Sequence, residues 1–219
     1  QYAVAAQQRI EGSMRFLVDT SPNKMTALSQ RELVAGQLLT PLTNYANAGG
    51  VFAIDNGAFS GFKAGPFSRL LARESANRDR CLFVTVPDIV ANGRRTLEIW
   101  RRRENFVTDW PLALVAQDGM EEMDIPWDEM AAVFIGGGDP WKDSNASLDI
   151  VKTAKTLGLH VHVGRVNQVA RYKRFAAVGA DTCDGSSIAM YDQKLRDIEA
   201  ALLKTPAPTL WDTEEVELV

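Results

Sequence analysis

A chain of 219 residues, 46% hydrophobic and 24% charged, is long enough for one domain with a full core. It sits at the short end for an eight-unit α/β barrel, for which about 250 residues is typical. Its net charge of −4 argues against wholesale electrostatic coating of nucleic acid and leaves two local basic clusters, Arg94, Arg95, Arg101, Arg102 and Arg103, and Arg165, Arg171, Lys173 and Arg174. No apolar run approaches the roughly 20 residues of a membrane span, and the opening QYAVAAQQRIEGSM lacks the basic-then-apolar order of a signal peptide. Two cysteines, Cys81 and Cys183, provide no disulfide framework, so a reducing cytoplasm is the expected compartment.

After a lead-in over 1–13, residues 14–18 read as a first strand. A turn at 21–23 opens a helix expected near 24–39, with Met25, Leu28, Leu33, Val34 and Leu38 apolar and Pro41 as its stop. Residues 51–55 form a second strand, 57–65 a glycine-rich loop carrying Phe59 and Phe62, and a helix follows Pro66. A strand over 82–88, a basic helix over 92–107 and a strand over 112–117 come next. Residues 131–135 run as a strand into Gly136, Gly137 and Gly138. A helix over 145–157, a strand over 159–163, a helix capped by Asn167, a strand over 180–184 and a helix over 193–203 follow. One catalytic domain is expected over 1–204, with a Pro-rich, then acidic tail over 205–219.

Seven strands alternating with helices imply parallel strands joined by crossovers. A closed barrel and an open doubly wound sheet both produce that pattern. Polar or glycine residues at the C-terminal ends of five strands (Asp55, Asp88, Gln117, the 136–138 glycines and Asp184) favour the barrel, in which those ends converge on one mouth. The fold class expected is therefore an α/β, (β/α)8 TIM-like barrel, compact and irregular because no eighth strand is evident. Alternation counted back from these ends turns Ala53 and Val51, Val86 and Val84, Val115 and Ala113, and Thr182 and Ala180 inward. Phe52, Ile54, Phe83 and Leu114 then face the helices.

Asp184 and Asp55 share one local grammar, a short strand ending on a carboxylate before a glycine turn. Two carboxylates delivered to one rim suit double displacement at a sugar carbon, and retaining pairs stand roughly 5 Å apart. Each aspartate alone also reads as a helix N-cap, and Asn56-Gly57 as a tight turn. The triple glycine suits either a base pocket or a phosphate cradle. Arg165 reads as a phosphate contact or as an ordinary surface residue. His160 and His162 share a strand face, but no ligand spacing makes them a zinc site with Cys81 and Cys183. No metal and no cofactor are expected.

Six pieces in order, Asp-x-Gly-Ala-Phe, Pro-Asp, Val-Ala-Gln-Asp-Gly, Ile-Gly-Gly-Gly, His-Val-Gly-Arg-Val and Gly-Ala-Asp-x-x-Asp-Gly-Ser-Ser, span about 51–190. Together they resemble the guanine transglycosylases, the queuine tRNA-ribosyltransferase-like family that exchanges guanine in nucleic acid for a 7-deazaguanine. The resemblance implies a barrel, with Asp184 as the nucleophile toward C1′ and Asp55 as the carboxylate moving protons. It implies that Asp88 and Gln117 read the purine edge and that Gly136 and Gly137 line the base pocket. The tRNA enzymes carry a three-cysteine, one-histidine zinc site that this sequence lacks, and their second Asp motif runs into Pro-Thr-Arg rather than Gly-Ser-Ser. The chain is more similar to the compact DNA-directed branch of bacteriophages and bacterial DNA-modification clusters. The partners so implied are guanine-containing DNA and a free base such as 7-cyano-7-deazaguanine, in a bacterial or phage-infected cytoplasm. A tRNA substrate, a non-catalytic base- or DNA-binding barrel, and a sugar-phosphate enzyme are the alternatives. To reach C1′ the target nucleotide has to leave the stack, and Phe59 and Phe62 are candidates to stack on a base. The same aromatics are equally suited to a homodimer contact.

Overall fold

The computed structural model describes residues 13–103, 109–185 and 192–203. Eight parallel strands close into a barrel in chain order: β1 (Arg15–Val18), β2 (Val34–Leu39), β3 (Phe52–Ile54), β4 (Cys81–Thr85), β5 (Leu112–Ala116), β6 (Ala132–Ile135), β7 (His160–Val163) and β8 (Thr182–Cys183). β8 pairs back onto β1 through Arg15–Thr182 and Phe16–Cys183. The helices among the described residues are α1 (Pro22–Leu28), α2 (Ala64–Glu74), α3 (Gly93–Trp100), α4 (Asp139–Lys142), α5 (Asn145–Thr156), α6 (Val169–Ala176) and α7 (Asp192–Leu203). The chain is a (β/α)8 barrel. It stays short because two crossovers dispense with an α-helix: β2 passes to β3 through a loop, and β5 to β6 through the 3-10 turns Met120–Glu122 and Trp127–Glu129.

The helix expected over 24–39 ends at Leu28, and its second half is the strand β2, which closes the barrel. β2 is buried along nearly its whole length. Its register with β1 slips by one residue between the Phe16–Val34 and Leu17–Gly36 pairs, so its side chains do not alternate simply. Gly36 is required there, since a Cβ would lie 2.0 Å from the Val51 carbonyl oxygen. Gln37 is buried but satisfied: its amide donates to the Thr20 carbonyl at 2.8 Å and accepts from the Ala48 N–H at 2.7 Å.

Leu17, Leu38, Ala53, Phe83, Ala113, Val115, Ala132 and Phe134 cluster inside the barrel. Phe52 and Ile54 pack outward on Phe67, Leu70 and Leu71 of α2, and Leu114 lies under Leu97 and Trp100 of α3. Alternation therefore holds for Ala53 and along β5. It fails on β4, where Phe83 and Thr85 face inward while Val84 and Val86 join the outer clusters. β4 ends at Thr85, and a count carried back from Asp88 through Pro87 crosses backbone that is no longer strand. Ala180 and Val51 precede their strands; Ala180 packs in the outer cluster and Val51 is exposed.

The helix expected over 92–107 is regular over Gly93–Trp100, where Asn92 caps it by accepting the Arg95 N–H at 3.0 Å. α6 takes Gln168, not Asn167, as its N-cap residue. The tail expected over 205–219 lies outside the described residues, as do 104–108. Among the described residues no helix is long and apolar enough to cross a membrane.

Candidate active site

The C-terminal ends of parallel strands share one rim, so a residue just past each strand faces the same opening. That opening is a cavity of about 770 Å³, and its lining includes Asp55, Phe59, Asp88, Gln117, Gly136, Gly137, Arg165 and Asp184. The fold thus brings these eight expected residues to one place, while Phe62, also a candidate to stack on a base, is not in the lining.

Asp184 follows β8 directly. Its Oδ1 accepts the backbone N–H of Arg165 at 3.0 Å and its Oδ2 lies 3.1 Å from His162 Nε2. Oδ1 is thus an acceptor, and an ionised Asp184 would accept at Oδ2 from an Nε2–H of His162. The backbone is tied to the same loop: the Asp184 N–H donates to the Val163 carbonyl at 3.2 Å, and its carbonyl accepts the Val166 N–H at 2.6 Å. To make that turn Arg165 takes a left-handed conformation, φ 59°, at a cost on the order of 1 kcal/mol or more for a non-glycine residue. Gly164 beside it has no room for a Cβ, which would lie 2.7 Å from the Phe134 ring.

Asp55 follows β3. The Thr85 hydroxyl donates to its Oδ1 at 3.2 Å while accepting the Asn56 N–H at 2.7 Å, and the turn passes through Gly57 at φ 76°. Burial, then repulsion from Asp184 and Asp88, push the Asp55 carboxyl up to about 7. Asp55 and Asp184 therefore face one cavity from different hydrogen-bonding surroundings.

Asp88 and Gln117 act as one unit. Gln117 Nε2 donates to Asp88 Oδ2 at 2.7 Å, and Gln117 Oε1 accepts the Ala91 N–H at 2.8 Å. Asp88 Oδ1 accepts from Asn56 Nδ2 at 2.8 Å, and the same amide reaches the Val86 carbonyl at 2.9 Å. The Gln117 amide thus positions Asp88, and both side chains line the cavity. Burial raises the Asp88 carboxyl. Asn56 thus has a structural duty beyond the turn that its sequence suggested.

Gly136 and Gly137 are dictated by packing. A Cβ on Gly136 would stand 2.6 Å from Gln117 Nε2, and one on Gly137 would stand 2.1 Å from the Trp141 ring. The Gly136 N–H is spent on the Ala116 carbonyl at 2.9 Å and the Gly138 N–H on Asp118 Oδ2 at 2.7 Å. Arg165 lays its guanidinium 4.4 Å over the Phe59 ring and donates to the Gly137 carbonyl at 2.8 Å, bridging the mouth. Phe59 is 66% exposed, while Phe62 packs edge-on against Phe67 at 5.7 Å, so Phe59 is the ring of the pair that faces the mouth.

Lys142, the last residue of α4, lines the same cavity though it is fully buried. Its Nζ donates to the Gly164 carbonyl at 2.7 Å. Burial, reinforced by Arg165 and opposed by Asp184, pushes its ammonium down to about 7. A lysine at a helix end ordinarily reads as solvated, so nothing in the sequence marked it. Thr85 was hidden by the β4 inversion. Among the described residues no group of three or more His, Cys, Asp or Glu stands together as metal ligands would. No protein-family model matches the chain, and a comparison with curated proteins gave no match.

Proposed function

We propose that the protein is a guanine transglycosylase that exchanges guanine in DNA for a 7-deazaguanine. The observation that carries this reading is the Asp184–Asp55 pair on one cavity, with Asp184 held between the Arg165 N–H and His162, and Asp55 pushed up to about 7 by burial and its neighbouring carboxylates. A carboxylate oxygen of Asp184 bonds to C1′ as the C1′–N9 bond to guanine breaks. The N9 electron pair goes to the departing purine, to which protonated Asp55 delivers its proton. The incoming base then loses its N9 proton to Asp55, N9 bonds to C1′, and the Asp184 ester is released with retention. Asp88, held by Asn56 and Gln117, offers acceptors to the N–H edge of a guanine-like ring. Lys142 and Arg165 offset the carboxylate charge around the sugar. The choice of DNA over tRNA rests on the resemblance of the Asp184 motif, which runs into Gly-Ser-Ser.

The test is to trap the ester. A guanine-containing oligodeoxynucleotide incubated with the protein and then denatured is expected to leave a protein–DNA adduct that free 7-deazaguanine discharges and that Asp184→Ala does not form. An adduct of equal yield on Asp184→Ala would refute the assignment. A second reading, a sugar-phosphate enzyme, draws on the buried ammonium of Lys142, since phosphate would complement it. Against it, the Gly136 and Gly138 N–H groups are already bound within the protein. It predicts that inorganic phosphate, and not free guanine, raises the melting temperature.

A further inference from the structure

His162 takes no part in the proton transfers above, yet it is fully buried and touches the proposed nucleophile. We propose that His160, Thr182 and His162 form a one-way hydrogen-bond chain through the barrel interior that fixes His162 as its Nε2–H tautomer and so positions Asp184 for attack. The positioning role rests on the reading of Asp184 as the nucleophile.

The direction follows from counting protons. As a nucleophile Asp184 is a carboxylate, which can only accept, so in this chain the proton facing it is on His162 Nε2, 3.1 Å from Oδ2. In the Nε2–H tautomer Nδ1 is an acceptor, and the Thr182 hydroxyl at 2.9 Å donates to it. Its only proton spent, Thr182 Oγ1 accepts from His160 Nε2 at 2.8 Å. His160 is neutral, its burial pushing it down to about 4, so its single proton sits on Nε2. The chain stops there. His160 Nδ1 lies 4.0 Å from Asp181 Oδ2, too far for a hydrogen bond. Asp181 instead binds Lys155 and the Val161 N–H, each at 2.7 Å. A reversed chain would set a ring lone pair against the Asp184 carboxylate.

The ring is also held in place. Phe134 and Phe83 flank His162 at 4.6 and 5.1 Å between centroids. With Arg165 N–H on Oδ1 and His162 on Oδ2, rotation of the carboxylate about Cβ–Cγ is restrained from both sides. Attack at C1′ needs that orientation, and a misplacement of about 1 Å costs on the order of 100-fold in rate. Asp55 from the β3 end and Lys142 from α4 are charged groups that interact with Asp184 across the cavity.

Two readouts test the chain. In long-range 1H–15N spectra of histidine-labelled protein, both rings are expected as Nε2–H tautomers at pH 7. Thr182→Ser is expected to keep that pattern, while the isosteric Thr182→Val is expected to release His160 to a mixture. For exchange, His162→Asn, which places its amide near Nδ1, is expected to lower kcat about 10- to 100-fold with little change in KM. His162→Gln, which places its amide near Nε2, is expected to recover most of it. An Nδ1–H tautomer on His162, or a Gln variant no faster than Asn at equal melting temperature, overturns the proposal. A wild type with the expected tautomers and no base exchange overturns the nucleophile assignment and hence the positioning role, while the spectra alone judge the chain.

Discussion

Asp55 is half-buried among carboxylates, and its raised pKa carries a sign that can be measured. Between about 4 and 7 the folded protein holds a proton on Asp55 that the unfolded chain has lost, so this residue's contribution to stability is present at low pH and disappears as pH rises to about 7. Asp55→Asn is therefore expected to raise the melting temperature at pH 8 by about 2–6 °C relative to wild type, and to change it little at pH 4. A denaturation series at the two pH values checks this. The same variant is expected to lose base exchange, because an amide delivers no proton to the departing purine. Removing the charge of Asp184 takes away the second cause of the shift, so Asp184→Ala is expected to bring the Asp55 pKa down from about 7, read by carboxyl 13C titration. Lys142 runs the other way. Above about 7 the folded state has lost a proton that the unfolded chain keeps until about 10.5, so its destabilising effect is full at pH 6 and fades as pH rises. Lys142→Met is expected to stabilise the fold at pH 6 and, in the proposed enzyme, to slow exchange.

Among the elements, the β6–α4 junction is where fold and site are hardest to separate. Gly137 has φ 43° and leaves no room for a Cβ against Trp141. Gly137→Ala must displace that ring and is expected to cost on the order of 2–4 kcal/mol, lowering the midpoint of urea denaturation without changing its slope. Seven strands were legible because their ends carry Asp, Gln or Gly and their crossovers are punctuated by Gly and Pro. β2 was not, because it is buried on both sides, its register slips against β1, and it ends in no chemical residue. The inversion of β4 was hidden for a related reason, since Pro87 breaks the alternation between Asp88 and the strand. The carboxylates, Gln117 and the glycines could be read because strand-end polar residues have few other duties. Their supports could not. Nothing local distinguishes Thr85 or His162, facing into the barrel, from the same residue types facing out; alternation turned Thr182 inward without marking it as a support, and the bonds of Gln117 to Asp88 and Ala91 show only in the fold.

At the scale of the whole molecule, an eight-stranded barrel fits in 219 residues by giving up helices at two crossovers while keeping every strand end on one rim. The rim then gathers the proposed nucleophile, its acid partner and the Asp88 edge around one cavity, with Arg165 bridging the mouth onto Phe59. The arrangement suits a base swung out of its stack more than a nucleic acid held along a broad charged face, in keeping with a net charge of −4. The measurement that tests the central claim most directly is incubation of the protein with radiolabelled guanine and, separately, guanine-containing DNA or tRNA. Label entering DNA and not tRNA, abolished by Asp184→Ala, is the predicted result. Label entering tRNA alone would keep the chemistry and contradict the choice of polymer, and a folded protein that labels neither would contradict base exchange itself.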